Sequence, residues 1–139
     1  MLMLSASRRL NEELAWTLDP VASRRQKPEV NKALYDKTVC IVGLGGTGDL
    51  LVERLRGFGV VLLGVDVHPE RAPTGVKAYG THQLKQAVAA ADYVVLAIPG
   101  SKENENTING DVLGSMKKGA VLVNVARGVL IDDLLSSPP

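Results

Sequence analysis

The chain has 139 residues, 45% hydrophobic and 22% charged, with Gly at 14 positions and 16 Lys plus Arg against 15 Asp plus Glu. A length of this order suits one core that buries roughly two-thirds of its unfolded surface, and the composition excludes global disorder. A formal net charge of +1 gives no broad field for nucleic acid or an anionic membrane, so neither is expected as a partner.

Met1-Leu2-Met3-Leu4 is followed too soon by Arg8 and Arg9 for a signal peptide. No later apolar run approaches the roughly 20 residues of a membrane helix, and a cytoplasmic setting is expected. Loosely spaced Leu2, Leu4, Leu10, Leu14 and Ala15 predict a helix over Met1–Trp16, stopped by Asp19-Pro20. Val21–Asp36 is polar and aperiodic and reads as a linker, so residues 1–36 form an N-terminal helix and linker, and the globular unit is 37–139.

Within 37–139, short β-branched runs alternate with helical patterns, as a parallel sheet with crossover helices requires. The predicted strands are Val39–Val42, Val60–Val65, Val76–Tyr79, Tyr93–Ile98 and Val121–Val125. Helices are predicted over Gly48–Phe58, with Leu51, Val52 and Leu55 inward, and over Gln83–Ala91, with Leu84, Ala87 and Val88 inward. A third, Gly110–Lys117, turns Val112, Leu113 and Met116 inward and ends in the basic Lys117-Lys118-Gly119. Pro69 and Pro73 predict a loop over His68–Gly75. Cys40, the single cysteine, lies in an apolar run and reads as a core thiol suited to a reducing compartment.

The first strand runs straight into Gly43-Leu44-Gly45-Gly46-Thr47-Gly48 and then a helix. In this setting Gly43 permits a tight turn, Gly45 lets backbone approach a pyrophosphate, and Gly48 lets helix and strand sit close. The helix N-terminus adds free N–H groups and positive dipole. Asp66, at the tip of the second strand, falls where an adenosine ribose would lie. A carboxylate there accepts from ribose hydroxyls and repels a 2′-phosphate, favouring NAD over NADP, although Arg71 nearby weakens that preference. The expected fold class is therefore α/β, a Rossmann-type parallel sheet of about five strands in order 3-2-1-4-5 with flanking helices, truncated. The last strand ends in Asn124-Val125-Ala126-Arg127-Gly128 at the same sheet edge, where Arg127 can hold a carboxylate and polarise a neighbouring carbonyl. Taken alone, Arg127 reads as a surface salt-bridge residue and Asn124 as a turn cap. No metal site is assigned, and His68 and His82 read as loop or cap residues.

Ile41-Val42-Gly43-Leu44-Gly45, Asp66, Asn106-Thr107-Ile108-Asn109, Met116-Lys117-Lys118-Gly119-Ala120 and Asn124-Val125-Ala126-Arg127-Gly128 follow one another over about Leu34 to Asp133. In order and spacing they resemble the D-isomer-specific 2-hydroxyacid dehydrogenases, and Ser7-Arg8-Arg9-Leu10 is similar to the interdomain helix preceding that family's NAD-binding domain. The resemblance implies that Gly46 and Thr47 contact the pyrophosphate and that Asp66 holds the ribose. It places Ile98, Pro99, Val125 and Ala126 on the nicotinamide side and makes Arg127 the substrate-binding catalytic arginine. The reaction implied is hydride transfer between a 2-hydroxy acid and a 2-keto acid, with a homodimer formed through cofactor domains.

The chain departs from the family at Gly46-Thr47, where a bulky residue followed by Ile is more usual. It is also expected to be a partial domain, since residues matching the family's catalytic Glu and His are not found, and to be inactive alone. Arg127, permanently protonated, cannot supply the proton that reduction of a keto acid requires. A different class of reading is a non-catalytic NAD-sensing or protein-interaction module, for which an exposed edge at the fifth strand would offer a pairing surface. A methyltransferase using S-adenosylmethionine tolerates the glycine loop and the acid, but leaves Asn124-x-x-Arg127-Gly128 unexplained.

Overall fold

The computed structural model describes residues 2–7 and 34–132. The chain divides into two units, Met1–Tyr35 and Asp36–Pro139. In the first, α1 spans Leu2–Ser7, where Ser7 Oγ donates to the Leu4 carbonyl at 2.9 Å. The rest of the helix expected to Trp16, the Asp19-Pro20 stop and the linker up to residue 33 lie outside the described residues.

The second unit is built on five parallel strands: β1 (Thr38–Val42), β2 (Val61–Asp66), β3 (Val76–Gly80), β4 (Tyr93–Leu96) and β5 (Val121–Asn124). Their order is β3-β2-β1-β4-β5. A strand covered on both faces must be apolar on both, and central β4 is buried throughout. Edge strand β3 is less covered: Tyr79 alone is buried, and Lys77, two residues earlier on the same face, is exposed with its Nζ 5.4 Å from the Tyr79 ring centroid.

Right-handed crossovers explain where the helices lie. From β1 through α2 (Gly46–Leu55) to β2 the chain steps one way along the sheet. From β3 through α3 (Leu84–Ala89) to β4, and through α4 (Gly110–Ser115) to β5, it steps the other way. The same handedness therefore puts α2 on one face and α3 and α4 on the other. On the α3 and α4 face, Cys40, Val42, Leu63, Val65, Val94 and Leu96 pack with Ala87, Val88, Val112, Ile108 and Leu130 into one buried cluster. On the α2 face, a β-carbon added at Gly48 would sit 3.5 Å from Ile41 Cγ2 of β1.

The boundaries differ from the sequence prediction where a local group ends the ladder. β4 stops at Leu96, although the Ala97 N–H still bonds the Val42 carbonyl at 2.8 Å, because the chain then turns through Pro99. β5 stops at Asn124, whose side chain closes the next turn. Helix α2 begins two residues earlier than Gly48 and passes into a 3₁₀ turn, Arg56–Phe58. Helix α3 follows a 3₁₀ turn, Thr81–Gln83, in which Gln83 Oε1 accepts from the Gly80 N–H at 3.2 Å. Helix α4 is capped by Asn109, whose Oδ1 accepts from the Val112 N–H at 3.1 Å, and ends at Ser115. Lys117 therefore lies beyond its last turn and pairs with Asp92 at 3.1 Å. The expected loop after β2 holds one 3₁₀ turn, Pro69–Arg71. Among the described residues no helix is long and apolar enough to cross a membrane.

Candidate functional site

The sheet changes direction of growth at β1, with β2 on one side and β4 on the other. At such a point the connections leaving neighbouring strands diverge and open a crevice beyond the strands' carboxyl ends. A cleft of about 1090 Å³ lies there. It is lined by Gly43, Gly45, Gly46 and Thr47 after β1, by Asp66 and Val67 after β2, by Thr81 and Leu84 after β3, by Ile98, Pro99, Gly100, Glu103, Asn104 and Thr107 after β4, and by Val125, Ala126 and Arg127 after β5.

The four glycines of the first loop divide into two kinds. Gly43 has φ of +100°, and a β-carbon on it would fall 2.7 Å from Ile98 Cγ2 and 2.9 Å from the Ala97 carbonyl carbon and oxygen. Gly48 faces inward rather than into the cleft, and a β-carbon there would collide with the Gly43 carbonyl oxygen. Together these two let β1, β4 and α2 close on one another. Gly45 and Gly46 are the reverse case, with open space where a β-carbon would be. Gly45 is extended (φ −86°, ψ −163°) and caps α2 without a side-chain bond. The Asp49 N–H takes the Gly45 carbonyl at 2.8 Å, which leaves the N–H groups of Gly46, Thr47 and Gly48 at the end of a ten-residue helix without intrahelical acceptors. That end suits a phosphate group.

Asp66 binds the loop to β2. Its Oδ2 accepts from the Leu44 N–H at 2.8 Å and its Oδ1 from the His68 N–H at 2.9 Å. The Leu44 side chain completes the junction, because a β-carbon at Gly64 would meet its Cδ1 at 2.6 Å. Each carboxylate oxygen keeps acceptor capacity beyond one N–H, so both can still receive hydroxyls. Close by, His68 Nδ1 lies 3.3 Å from Glu70 Oε1, and Arg71 Nε lies 3.8 Å from the same oxygen. Neither His68 nor His82 lines the cleft; His82 instead folds its ring over Gly80, where a β-carbon would meet Nδ1 at 2.9 Å.

On the far side, Asn124 organises the turn after β5. Its Oδ1 accepts from the Ala126 N–H at 2.9 Å and its Nδ2 donates to the Arg127 carbonyl at 2.7 Å. Arg127 itself donates through one terminal nitrogen to the Ala126 carbonyl at 3.0 Å. It is the one cation among the lining residues, against the carboxylates of Asp66 and Glu103. In the wall formed by Gly100, Glu103, Asn104 and Thr107, sequence reasoning passed over the first three and met Thr107 only as part of the Asn106–Asn109 signature. The wall's available signal was a polar connection of several residues leaving the carboxyl end of a central strand, where ligands bind.

These residues fit a dinucleotide: an anion-accepting helix end, a carboxylate one strand away and a cation two strands away on the other side share one cleft. A family model described as the D-isomer specific 2-hydroxyacid dehydrogenase NAD binding domain matches residues 1–134. The chain is similar to a D-lactate dehydrogenase of Streptococcus pyogenes serotype M1, with 37% identity over 112 residues, which is 79% of this chain and 34% of that protein. It is also similar to a glyoxylate reductase of Thermococcus kodakarensis, with 41% identity over 101 residues, 71% of this chain and 30% of that one. Among solved structures, D-2-hydroxyisocaproate dehydrogenase superposes with a TM-score of 0.85 at 26% identity, covering 96% of this chain and 40% of that one. The chain thus spans about a third of the length of the curated relatives it matches.

Proposed function

Because the chain belongs to the D-isomer-specific 2-hydroxyacid dehydrogenase family, whose NAD-binding domain it carries, we propose that the cleft holds NAD for interconversion of a 2-hydroxy acid and a 2-keto acid. The observation that carries this reading is the convergence of the α2 N-terminus, Asp66 and Arg127 on one cleft. Free N–H groups of Gly46 and Thr47 receive the pyrophosphate, Asp66 receives the adenosine ribose, and Ile98, Pro99, Val125 and Ala126 line the nicotinamide end. The nicotinamide, when bound, would accept hydride from a 2-hydroxy acid in its oxidised form or give it to a 2-keto acid in its reduced form.

Arg127 binds the substrate carboxylate and draws electron density from the adjacent carbonyl, since a guanidinium offers a planar pair of donors and keeps its charge. To do so it turns from the Ala126 carbonyl toward the cleft. Reduction also requires a proton at the carbonyl oxygen. Among the described residues of the cleft, Arg127 cannot release one and Asp66 is engaged with two backbone N–H groups, which leaves the Glu103 carboxyl; neither His68 nor His82 lines it. We therefore assign Gly46, Thr47, Asp66 and Arg127 binding and orientation, and expect turnover by this chain alone, with no imidazole among the described residues of the cleft, to be slower by the roughly 10² to 10⁴ that such general acid–base help supplies.

Calorimetric titration with NADH and NADPH tests the cofactor assignment. An Asp66→Asn chain keeps an acceptor for the Leu44 N–H but loses the charge that favours ribose hydroxyls and repels a 2′-phosphate. Loss of one charged hydrogen bond predicts NADH binding weaker by about tenfold, with a narrower gap to NADPH. Equal NADH affinity in both chains would remove Asp66 from the site.

A further inference from the structure

We propose that Gly100 is a positioning residue for Arg127: the missing β-carbon at the Pro99–Gly100 corner lets the arginine stem lie across it and sets where the guanidinium enters the cleft. The functional meaning of this proposal rests on the reading of Arg127 as the carboxylate-binding residue, while its geometry rests on separate observations.

A β-carbon on Gly100 would fall 2.5 Å from Arg127 Cγ and 2.6 Å from Arg127 Cβ, with Val129 Cγ2 at 3.4 Å. Gly100 is not among the glycines with positive φ, so its backbone does not call for glycine. The crowding comes from the stem of one side chain. Of those atoms Cβ is fixed by the backbone and Cγ moves only if χ1 changes, so neither swings away as a guanidinium tip can.

Both partners are held in place. On one side, the Pro99 carbonyl accepts from Asn104 Nδ2 at 2.9 Å, and Thr107 Oγ1 donates to the Asn104 carbonyl at 2.7 Å, which fixes the corner. On the other, Asn124 Nδ2 holds the Arg127 carbonyl at 2.7 Å. A side chain at position 100 therefore forces a shift of the corner or of the Asn124 turn, together with a new stem rotamer. Either change moves the guanidinium off the Ala126 carbonyl. Position 100, which touches neither phosphate nor ribose in this reading, thereby sets the direction from which the cation meets a substrate carboxylate.

The test is the Nε–Hε resonance of Arg127 in the ¹⁵N-labelled full chain, assigned by its loss in Arg127→Lys. In Gly100→Ala this resonance is expected to move by more than its linewidth while those of Arg54, Arg56 and Arg71 stay in place. An unmoved Arg127 resonance in a folded Gly100→Ala chain overturns the proposal. If Gly100→Ala does not fold, the double variant Gly100→Ala with Arg127→Gly removes the crowding atoms. Recovery of the fold then supports the proposal, and failure to recover overturns it. Oxamate, a carboxylate shaped like a 2-keto acid, added to the NADH-loaded wild-type chain tests the underlying reading separately. An Arg127 resonance that ignores oxamate counts against the carboxylate role and leaves the Gly100 result standing.

Discussion

Cys40 sits in the middle of β1 with no exposed surface, and burial pushes its thiol up to about 12. A thiolate is the reactive form, so the folded chain offers an alkylating reagent almost nothing at neutral or mildly alkaline pH. Labelling should proceed only through unfolded molecules, slower than in denaturant by about 10³-fold or more for a domain of ordinary stability. Mass-spectrometric timing of iodoacetamide modification checks this, and labelling of the native chain at the free-thiol rate would contradict the packing around β1. The apolar run Val39–Val42 already reads as a core thiol's surroundings. The glycines are less transparent in sequence. Gly43 is needed because Ala97 and Ile98, just after β4, stand where its β-carbon would be, and Gly48 because the Gly43 carbonyl does, whereas Gly45 and Gly46 have open space there. The motif gives Gly43 as a tight turn, but the Ala97 and Ile98 atoms that forbid it a side chain come from more than fifty residues away.

At the scale of elements, Asp92 joins three strands at the end of the sheet opposite the cleft. Its N–H donates to the Thr38 carbonyl at 2.8 Å, its carbonyl accepts from the Val121 N–H at 3.0 Å, its Oδ2 accepts from the Thr38 N–H at 2.9 Å, and Lys117 Nζ lies 3.1 Å from its Oδ1. Burial raises the Asp92 carboxyl pKa, but the Thr38 N–H and then the Lys117 and Lys37 charges outweigh it, leaving the group below its ordinary value. A carboxyl lowered by folding stabilises the native state above its unfolded pKa, and the contribution is lost as pH falls through the folded value. The melting temperature of the wild-type chain should therefore drop between about pH 6 and about pH 3, and by less in Asp92→Asn. The partly exposed Lys117 pair limits its share of the difference to about 0.2–1 kcal/mol. Calorimetric melts of the two chains decide this, and parallel pH profiles would discard the Asp92 clamp. Lys117 in the sequence looks like a cation closing the last turn of α4. Its actual partner is 25 residues earlier, a distance no local pattern can register.

Over the molecule as a whole, stability depends on the cluster between the sheet and the α3 and α4 layer, and fully buried Leu96 of β4 belongs to that cluster. Truncation to alanine removes apolar contacts and leaves a cavity, so Leu96→Ala should cost about 2–5 kcal/mol in urea unfolding. NADH affinity should fall less than the Asp66 change produces, because Leu96 is not among the residues that line the cleft. A loss under about 1 kcal/mol would show that this layer is loosely packed. The sequence by itself determined the alternation of strands and helices, the parallel sheet, the glycine loop and the acid after β2. Each of these is written in local periodicity or in spacing along one strand–turn–helix unit, where neighbours in sequence are neighbours in space. It also carried Arg127, but only through the succession of motifs, since a lone arginine after a strand has no local signature of function. Tertiary structure decided the rest: that Asp66 holds the loop through Leu44, that the connection after β4 walls the cleft, and that the Arg127 stem occupies the space a side chain at Gly100 would need. Those relations join residues on different strands, and the parallel register that brings them together is fixed by burial of both sheet faces, a property of the whole core that no short stretch of sequence contains.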